Sequence, residues 1–272
     1  MKIKNFKGYF FIMPSLIGFS MLYVIPFLLG LRYSVSRSGF DDTFVGFTNY
    51  RNIINSLSFR LALKNNLIFL FAGLTIIIVL SFVLALIIHE INAPKILKLC
   101  IVLPIAIPSA TVAGYFREVF ATGANNLMDS EFAMIGVILI FLWRSTGYNL
   151  IIYLAALSQL DKSVIEASEI DGANYLEKLR HVIIPLVTPA TFFVSIISII
   201  NSFKIYKDLY ILQGNYPNPK IYMLQHYMNN KFRDLEYEKL TSAAYLFAIF
   251  IFIIALMFYY MDRRYIKKIG EN

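Results

Sequence analysis

Glu166, Glu169 and Asp171 crowd together at the start of the stretch EASEIDGANYLEKLRHVIIPLVTP (166–189), and clustered carboxylates can carry acid–base chemistry or hold a metal ion. Either use needs partners. No histidine stands at ligand spacing beside them and no open apolar pocket accompanies them, so the cluster does not read as catalytic. His89, His181 and His226 lie far apart and near loops, and none is assigned a ligand role. Cys100 is the single cysteine, which excludes an intrachain disulfide and a cysteine-based cluster and leaves it as a small apolar filler. No G-x-x-x-x-G-K-[ST] loop is present, so this chain is not expected to bind ATP, and neither cofactor nor metal is called for.

The same residues read better as a short charged helix. Ser163 and Glu166 have capping-box spacing, which predicts a helix from near Val164 that turns at Gly172 after about two turns. A second helical run, Tyr175 to His181, leads onward. Glu166 and Glu169 lie toward the start and Lys178, Arg180 and His181 toward the far end, the order that the peptide dipoles favour.

What surrounds this helix is apolar. Of the 272 residues, 58% are hydrophobic and 15% charged, and the mean hydropathy is +0.64, which marks an all-α integral membrane protein. A hydrocarbon core about 30 Å thick needs roughly 20 apolar residues of helix. Six spans are predicted, at 9–31, 66–88, 99–120, 133–156, 182–203 and 243–261, forming one transmembrane domain over 1–272 with a polar insert at 157–181. The basic N-terminus superficially resembles a secretory signal. Its apolar stretch is longer than a signal core and no A-x-A site follows, so it reads as a retained first span. The net charge of +8 is scattered beside the spans without a basic stripe or nucleic-acid motif, as suits contact with lipid headgroups and not with nucleic acid. Lysine and arginine counts nearly balance across the two sides. Their density beside the spans (Lys2, Lys4, Lys7, Lys95, Lys98, Lys162, Lys178, Arg180, Arg263, Arg264, Lys267 and Lys268) places both termini and the insert in the cytoplasm.

Prolines break three spans: Pro14 and Pro26 in the first, Pro104 and Pro108 in the third, Pro185 and Pro189 in the fifth. Proline deletes a backbone donor and bends the helix, and the freed carbonyls then need partners in neighbouring helices or in a wet cavity. Bent helices around a cavity suit a transporter. A membrane enzyme would need a catalytic constellation within the spans, and an ion-driven secondary transporter would be expected to show internal repeats and intramembrane carboxylates; the sequence displays none of these.

The order of the insert carries a resemblance. Glu166, Ala167, Asp171, Gly172, Ala173, Pro185 and Pro189 fall at the spacing of the EAA loop (E-A-A-x-x-D-G-A, then P-x-x-x-P) of binding-protein-dependent ABC importer permeases, with Ser168 in place of the second alanine and Leu179 where an aromatic is usual. PSLIGFSMLYVIPF, FVGFTNYRNIINS, ALKNNLIF, VLPIAIPSATVAGYFREVF and WRSTGYNLIIYLAALSQLDKSVIEASEIDGA follow in the family's order, so the likeness runs over nearly the whole chain and is closest to the carbohydrate-uptake permeases of maltose and glycerol-phosphate type. ATGANNLMDSEFAM is shorter than the family's usual connection, and LQGNYPNPKIYMLQHYMNNKFRD replaces its Gly-Gly-Pro turn.

The resemblance implies an ATP-driven importer of a sugar, oligosaccharide or sugar phosphate, working by alternating access in the cell membrane. This chain would have no chemistry of its own. It would pair with a second permease subunit, a cytoplasmic ABC ATPase dimer that binds the ATP, and an extracytoplasmic solute-binding protein. Residues 166–173, namely Glu166, Ala167, Ser168, Asp171, Gly172 and Ala173, would form a coupling helix seated in a cleft of the ATPase, with Glu166 pairing a basic residue there. The family's solute path implies Ser109, Ser145, Ser198 and Ser202, with neighbouring Asn149 and Asn201 able to hydrogen-bond hydroxyls and Trp143 or Tyr148 able to stack on a sugar face. The alternative for each serine or asparagine is helix-to-helix bonding. Arg144 reads as lying near an end of the fourth span, where it snorkels to the interface or meets an anionic solute.

Overall fold

The computed structural model describes residues 5–121 and 126–270. Lys2 and Lys4, counted above among the cytoplasmic cations, and part of the 121–132 connection lie outside the described residues. The first apolar stretch folds as α1 (Asn5–Phe19), a π turn (Ser20–Val24) and α2 (Ile25–Ser34). The π turn has a local cause. The N–H of Ile25 reaches back to Ser20 O, one residue farther than in an α-helix, immediately before Pro26. Widening the turn there relieves the clash between the proline ring and the carbonyl four residues earlier.

A two-stranded antiparallel hairpin follows, β1 (Ser36–Ser38) and β2 (Asp41–Phe44), with an irregular register between Ser36 and Ser38. Next come α3 (Thr48–Asn55) and α4 (Leu57–Glu90). The chain continues through α5 (Lys95–Val102), a 3₁₀ turn (Leu103–Ala106), α6 (Ser109–Phe120) and α7 (Ala133–Ser158). The polar insert gives α8 (Lys162–Ile170) and α9 (Tyr175–Lys178). From α9 a second π turn (Leu179–Ile183) passes directly into α10 (Ile184–Gln213), and here Ile184 N–H bonds Leu179 O just ahead of Pro185, as at Pro26. α11 (Leu224–Arg233) and α12 (Tyr237–Gly270) complete the described chain.

Among the described residues five helical stretches are long and apolar enough to cross a membrane, and a sixth results if α5, its 3₁₀ turn and α6 count as one broken span. The third span is therefore not the single bent helix over 99–120 that the sequence predicts: its halves meet at 100°. Ile107 (ψ 128°) and Pro108 (ψ 144°) are consecutive extended residues, because a proline forces its predecessor out of the helical region. Two extended residues turn the chain far more sharply than one missing hydrogen bond would. The fifth span also departs from its predicted 182–203, running from Tyr175 to Gln213 and stopping at Gly214, whose φ of 72° favours glycine.

Two compact units divide the chain, residues 1–60 with 227–251 and residues 61–226 with 252–272. In the first, Asn49 donates to Ser34 O (3.1 Å) and Ser36 O (2.7 Å), and Ser242 Oγ donates to Ser34 O (3.1 Å). Phe27 and Tyr245 meet edge to face and the Tyr245 hydroxyl donates to Phe27 O. No residue from Phe11 to Tyr33 is buried, leaving a continuous hydrocarbon-compatible surface that water would not tolerate.

In the second unit α7 is packed by α5, α6 and α10. Ala133, Val137, Ile140 and Phe141 at one end of α7 join Phe69, Phe116, Ile205 and Leu209, while Leu150, Tyr153 and Leu157 at the other end join Ala85, Ile183, Val187 and Val194. Between these clusters lies a polar layer. On α7 it comprises Arg144, Ser145, Thr146 and Asn149, and on α10 Ser195, Ser198 and Ser202. Gly147 sits in this layer because α5 presses on it: a Cβ there would stand 2.3 Å from Ile101 O and 2.6 Å from Val102 Cα.

His226 is fully buried beside the rings of Tyr206 and Tyr222, its Nδ1 accepting from Met223 N–H (3.2 Å), and burial pushes its pKa down to about 4. The unfolded chain binds this proton near pH 6.5 and the folded chain does not. The contribution is therefore whole above pH 6.5 and is lost as the pH falls toward 4, by up to about 3 kcal/mol. Melting temperature against pH should show that loss, and His226→Gln, which keeps an acceptor but no proton site, should flatten it.

Candidate functional site

α8 begins two residues earlier than its capping-box spacing suggests. The cap is Asp161, not Ser163: the Asp161 carboxylate accepts from Ser163 N–H (2.9 Å), and that hydrogen bond holds its pKa below the ordinary carboxylate value. Asp prevails because its side chain reaches two residues ahead in the extended conformation of a cap. At the other end Ala173 N–H reaches Ser168 O (3.0 Å) and Gly172 N–H reaches Glu169 O (3.1 Å), a Schellman closure with Gly172 at φ 85°. The turn into α9 is fixed by a full capping box, Glu177 N–H to Asn174 Oδ1 (3.0 Å) and Asn174 N–H to Glu177 Oε2 (2.9 Å). That box stands in the sequence as N-x-x-E.

Two contacts brace the insert. Lys178 Nζ bonds Glu169 (2.6 Å), joining α9 to α8, and Tyr175 OH donates to Glu90 (2.7 Å) at the end of α4. Glu169 is thus occupied, while Glu166 is exposed and makes no ion pair among the described residues. Ile170 and Leu176 expose most of their apolar surface, at 86% and 69%. Among the described residues no group of three His, Cys, Asp or Glu side chains is placed to hold a metal ion.

The second feature is a half-open cavity of about 410 Å³, walled by the break before α6, the middle of α7 and the last third of α10. Arg144 organises it. Its guanidinium bonds Asp208 (2.8 Å), Ser109 Oγ (3.3 Å) and Ile107 O (3.4 Å), tying three segments together. Ile107 is the residue that the break strips of helical geometry, so the guanidinium supplies the partner that a freed carbonyl needs inside a membrane protein. Arg144 accordingly lies in the middle of α7 and does not snorkel from a span end. Asp208, 2% exposed, is a carboxylate on a spanning helix that the predicted boundary at 203 had put in a loop.

Of the residues singled out in the sequence, Ser109, Ser145 and Asn201 line the cavity. Asn149 and Ser198 are buried and bonded to each other (2.8 Å), and Ser202 Oγ donates to Ile199 O (2.6 Å). Trp143 packs edge to face on Phe116 at 5.5 Å, and both Trp143 and Tyr148 are over a third exposed. Lys204, Tyr206, Lys207 and Asp208, missed from the sequence, also line the cavity. The signal was available: no glycine or proline interrupts the chain from 190 to 213, so the helical spacing of Ser198, Ser202, Ile205 and Leu209 continues past the first charges.

A family model described as binding-protein-dependent transport system inner membrane component matches residues 93–267, which include the insert, the broken segment and the cavity helices. The chain belongs to this family. The transport component is 30% identical to the arabinooligosaccharides transport system permease protein of Bacillus subtilis (strain 168), over 79% of this chain and 74% of that one. It is 26% identical to the lactose transport system permease protein of Rhizobium radiobacter, over 94% of each. In fold it matches a chain of a bacterial ABC transporter involved in the import of the acidic polysaccharide alginate, with a TM-score of 0.81 at 20% identity over 96% of each chain. It is a multi-pass, helical membrane transport component.

Proposed function

We propose that this chain is the permease subunit of an ATP-driven importer of a sugar or oligosaccharide. It would form part of the translocation path around the Arg144 cavity and couple through α8 to a cytoplasmic ATPase. The observation that carries the coupling role is the insert: a rigidly closed helix pair, anchored to α4 and continuous with α10, that leaves Glu166, Ile170 and Leu176 uncovered. A helix can transmit a push only if it is stiff and fastened at both ends. The saccharide reading draws on the relatives, whose names specify arabinooligosaccharides and lactose. The second permease, the ATPase dimer, the solute-binding protein and the cytoplasmic placement of both termini belong to the same proposal. So does the absence of any reaction catalysed by this chain itself.

Expression with the neighbouring transport genes, followed by purification and an ATPase assay with saccharides and binding protein, tests it. A co-purifying ATPase stimulated by saccharide is expected. Absence of an ATPase under several mild detergents would contradict the coupling role, and stimulation by non-carbohydrate solutes alone would contradict the saccharide.

Gly172 gives a sharper prediction. A Cβ there meets nothing within 4 Å, so substitution acts through the backbone alone. A β-branched residue at φ 85° costs about 1–2 kcal/mol, which shifts the closed helix pair by about tenfold. Gly172→Val should lower uptake per ATP hydrolysed, whereas Gly172→Asn, which tolerates the left-handed region, should retain most of it. Paired uptake and phosphate-release measurements on both variants check this.

A further inference from the structure

The charge around the cavity is unbalanced. Arg144, Lys204 and Lys207 line it together with one carboxylate, Asp208. Asp208 is bonded by Arg144 at 2.8 Å and also feels the charge of Lys207, so one carboxylate faces three cations and two positive charges are left over. Neither lysine makes an ion pair among the described residues. α7 contains no acidic residue and α10 none besides Asp208, so neither helix can supply a second counter-charge. Lys204 is steered toward the polar wall, its ammonium donating to Asn201 Oδ1 (2.9 Å), and both lysines are exposed.

An excess of two positive charges beside a membrane-spanning helix is costly unless water or an anion meets it. A neutral sugar needs neither: hydroxyls, amides and rings such as Ser109, Ser145, Asn201 and Tyr206 would hold it without that cost. We propose that the cavity takes the oxyanion of an acidic saccharide, with Lys204 and Lys207 as its counter-charges and Ser109, Ser145 and Asn201 bonding the adjacent hydroxyls. The proposal rests on the saccharide reading and narrows it from carbohydrate to anionic carbohydrate. Arg144 is a positioning residue in it, engaged by Asp208, Ser109 and Ile107 O.

An oxyanion can also come from a lipid headgroup, so the test separates the two. The complete transporter with its binding protein is reconstituted in phosphatidylcholine vesicles, and ATPase stimulation is titrated with oligogalacturonates of two to five residues and with their neutral methyl esters. Half-maximal stimulation by the acid is expected at a concentration about tenfold or more below that for the ester, and added salt should narrow the gap. Lys204→Gln with Lys207→Gln should erase most of this preference and Lys204→Arg with Lys207→Arg should keep it. Because one binding protein serves every variant, the difference between variants reads the cavity. Stimulation by the ester equal to or better than by the acid, or a glutamine variant with unchanged preference, overturns the proposal while leaving the saccharide reading intact. If neither saccharide stimulates and only non-carbohydrate solutes do, the saccharide reading falls with it. Phosphatidylglycerol retained by the wild type and lost from the glutamine variant in native mass spectrometry, without an acid preference, assigns the lysines to lipid and also overturns the proposal.

Discussion

Arg144→Met should destabilise the protein by about 3–5 kcal/mol and abolish uptake, because it strands the carboxylate of Asp208 in the interior. It also removes the donor that satisfies Ile107 O at the sharp break before α6. Removing both charges should be milder. In Arg144→Met with Asp208→Leu the buried carboxylate is gone, so the melting temperature should recover most of the loss, and buried pairs replaced by apolar groups are often neutral or stabilising. Uptake should not recover, since the break before α6 remains without its tie. The quantities to compare are the melting temperatures of the wild type, both single variants and the double variant in one detergent. Equal losses in single and double variants would show that the pair is not an energetic unit.

The second large effect belongs to Gly147. Its missing Cβ lets the backbone of α5 lie directly on α7, and neither Ile101 O nor Val102 Cα can swing aside as a side chain could. Gly147→Ala should therefore force the two helices apart, at about 1–3 kcal/mol for the overpacking and with loss of transport as the α5–α6 break is displaced from Arg144. Two glycines serve as controls. At Gly136 the nearest atom to a new Cβ is Met128 Sδ at 2.8 Å, the adaptable part of a flexible side chain, so Gly136→Ala should cost less. Gly114 has nothing within 4 Å, and Gly114→Ala should be neutral or slightly stabilising, since alanine is the better helix former. Thermal melts of the three variants give the ranking.

These expectations show which parts of the molecule the sequence discloses. The stretch from 133 to 156 corresponds to α7 (Ala133–Ser158), since more than twenty predominantly apolar residues leave few alternatives to a spanning helix. Gly172 was legible as a turn because local chemistry alone decides it. The inward faces of α7 and α10 were not. In a membrane both the lipid-facing and the core-facing sides are apolar, so the periodicity that separates them in a water-soluble helix is nearly absent, and Ser198 facing Asn149 looks no different in sequence from Ser198 facing a cavity. The 100° break was only half legible: Pro104 and Pro108 announce a bend, but its size depends on Ile107 and Pro108 both being extended. Arg144 and Asp208 lie 64 residues apart, and nothing local to either predicts the other. A span boundary drawn at the first charged residue of α10 then hid the carboxylate, although a charge already paired can lie well inside a spanning helix.

Accumulation of a labelled oligosaccharide in proteoliposomes, with the binding protein outside the coupling face and ATP available to the partner ATPase, tests the importer account most directly. The account predicts accumulation that requires ATP hydrolysis and falls sharply in Gly172→Val while the complex stays assembled. Accumulation that proceeds without ATP and follows an imposed ion gradient would contradict it.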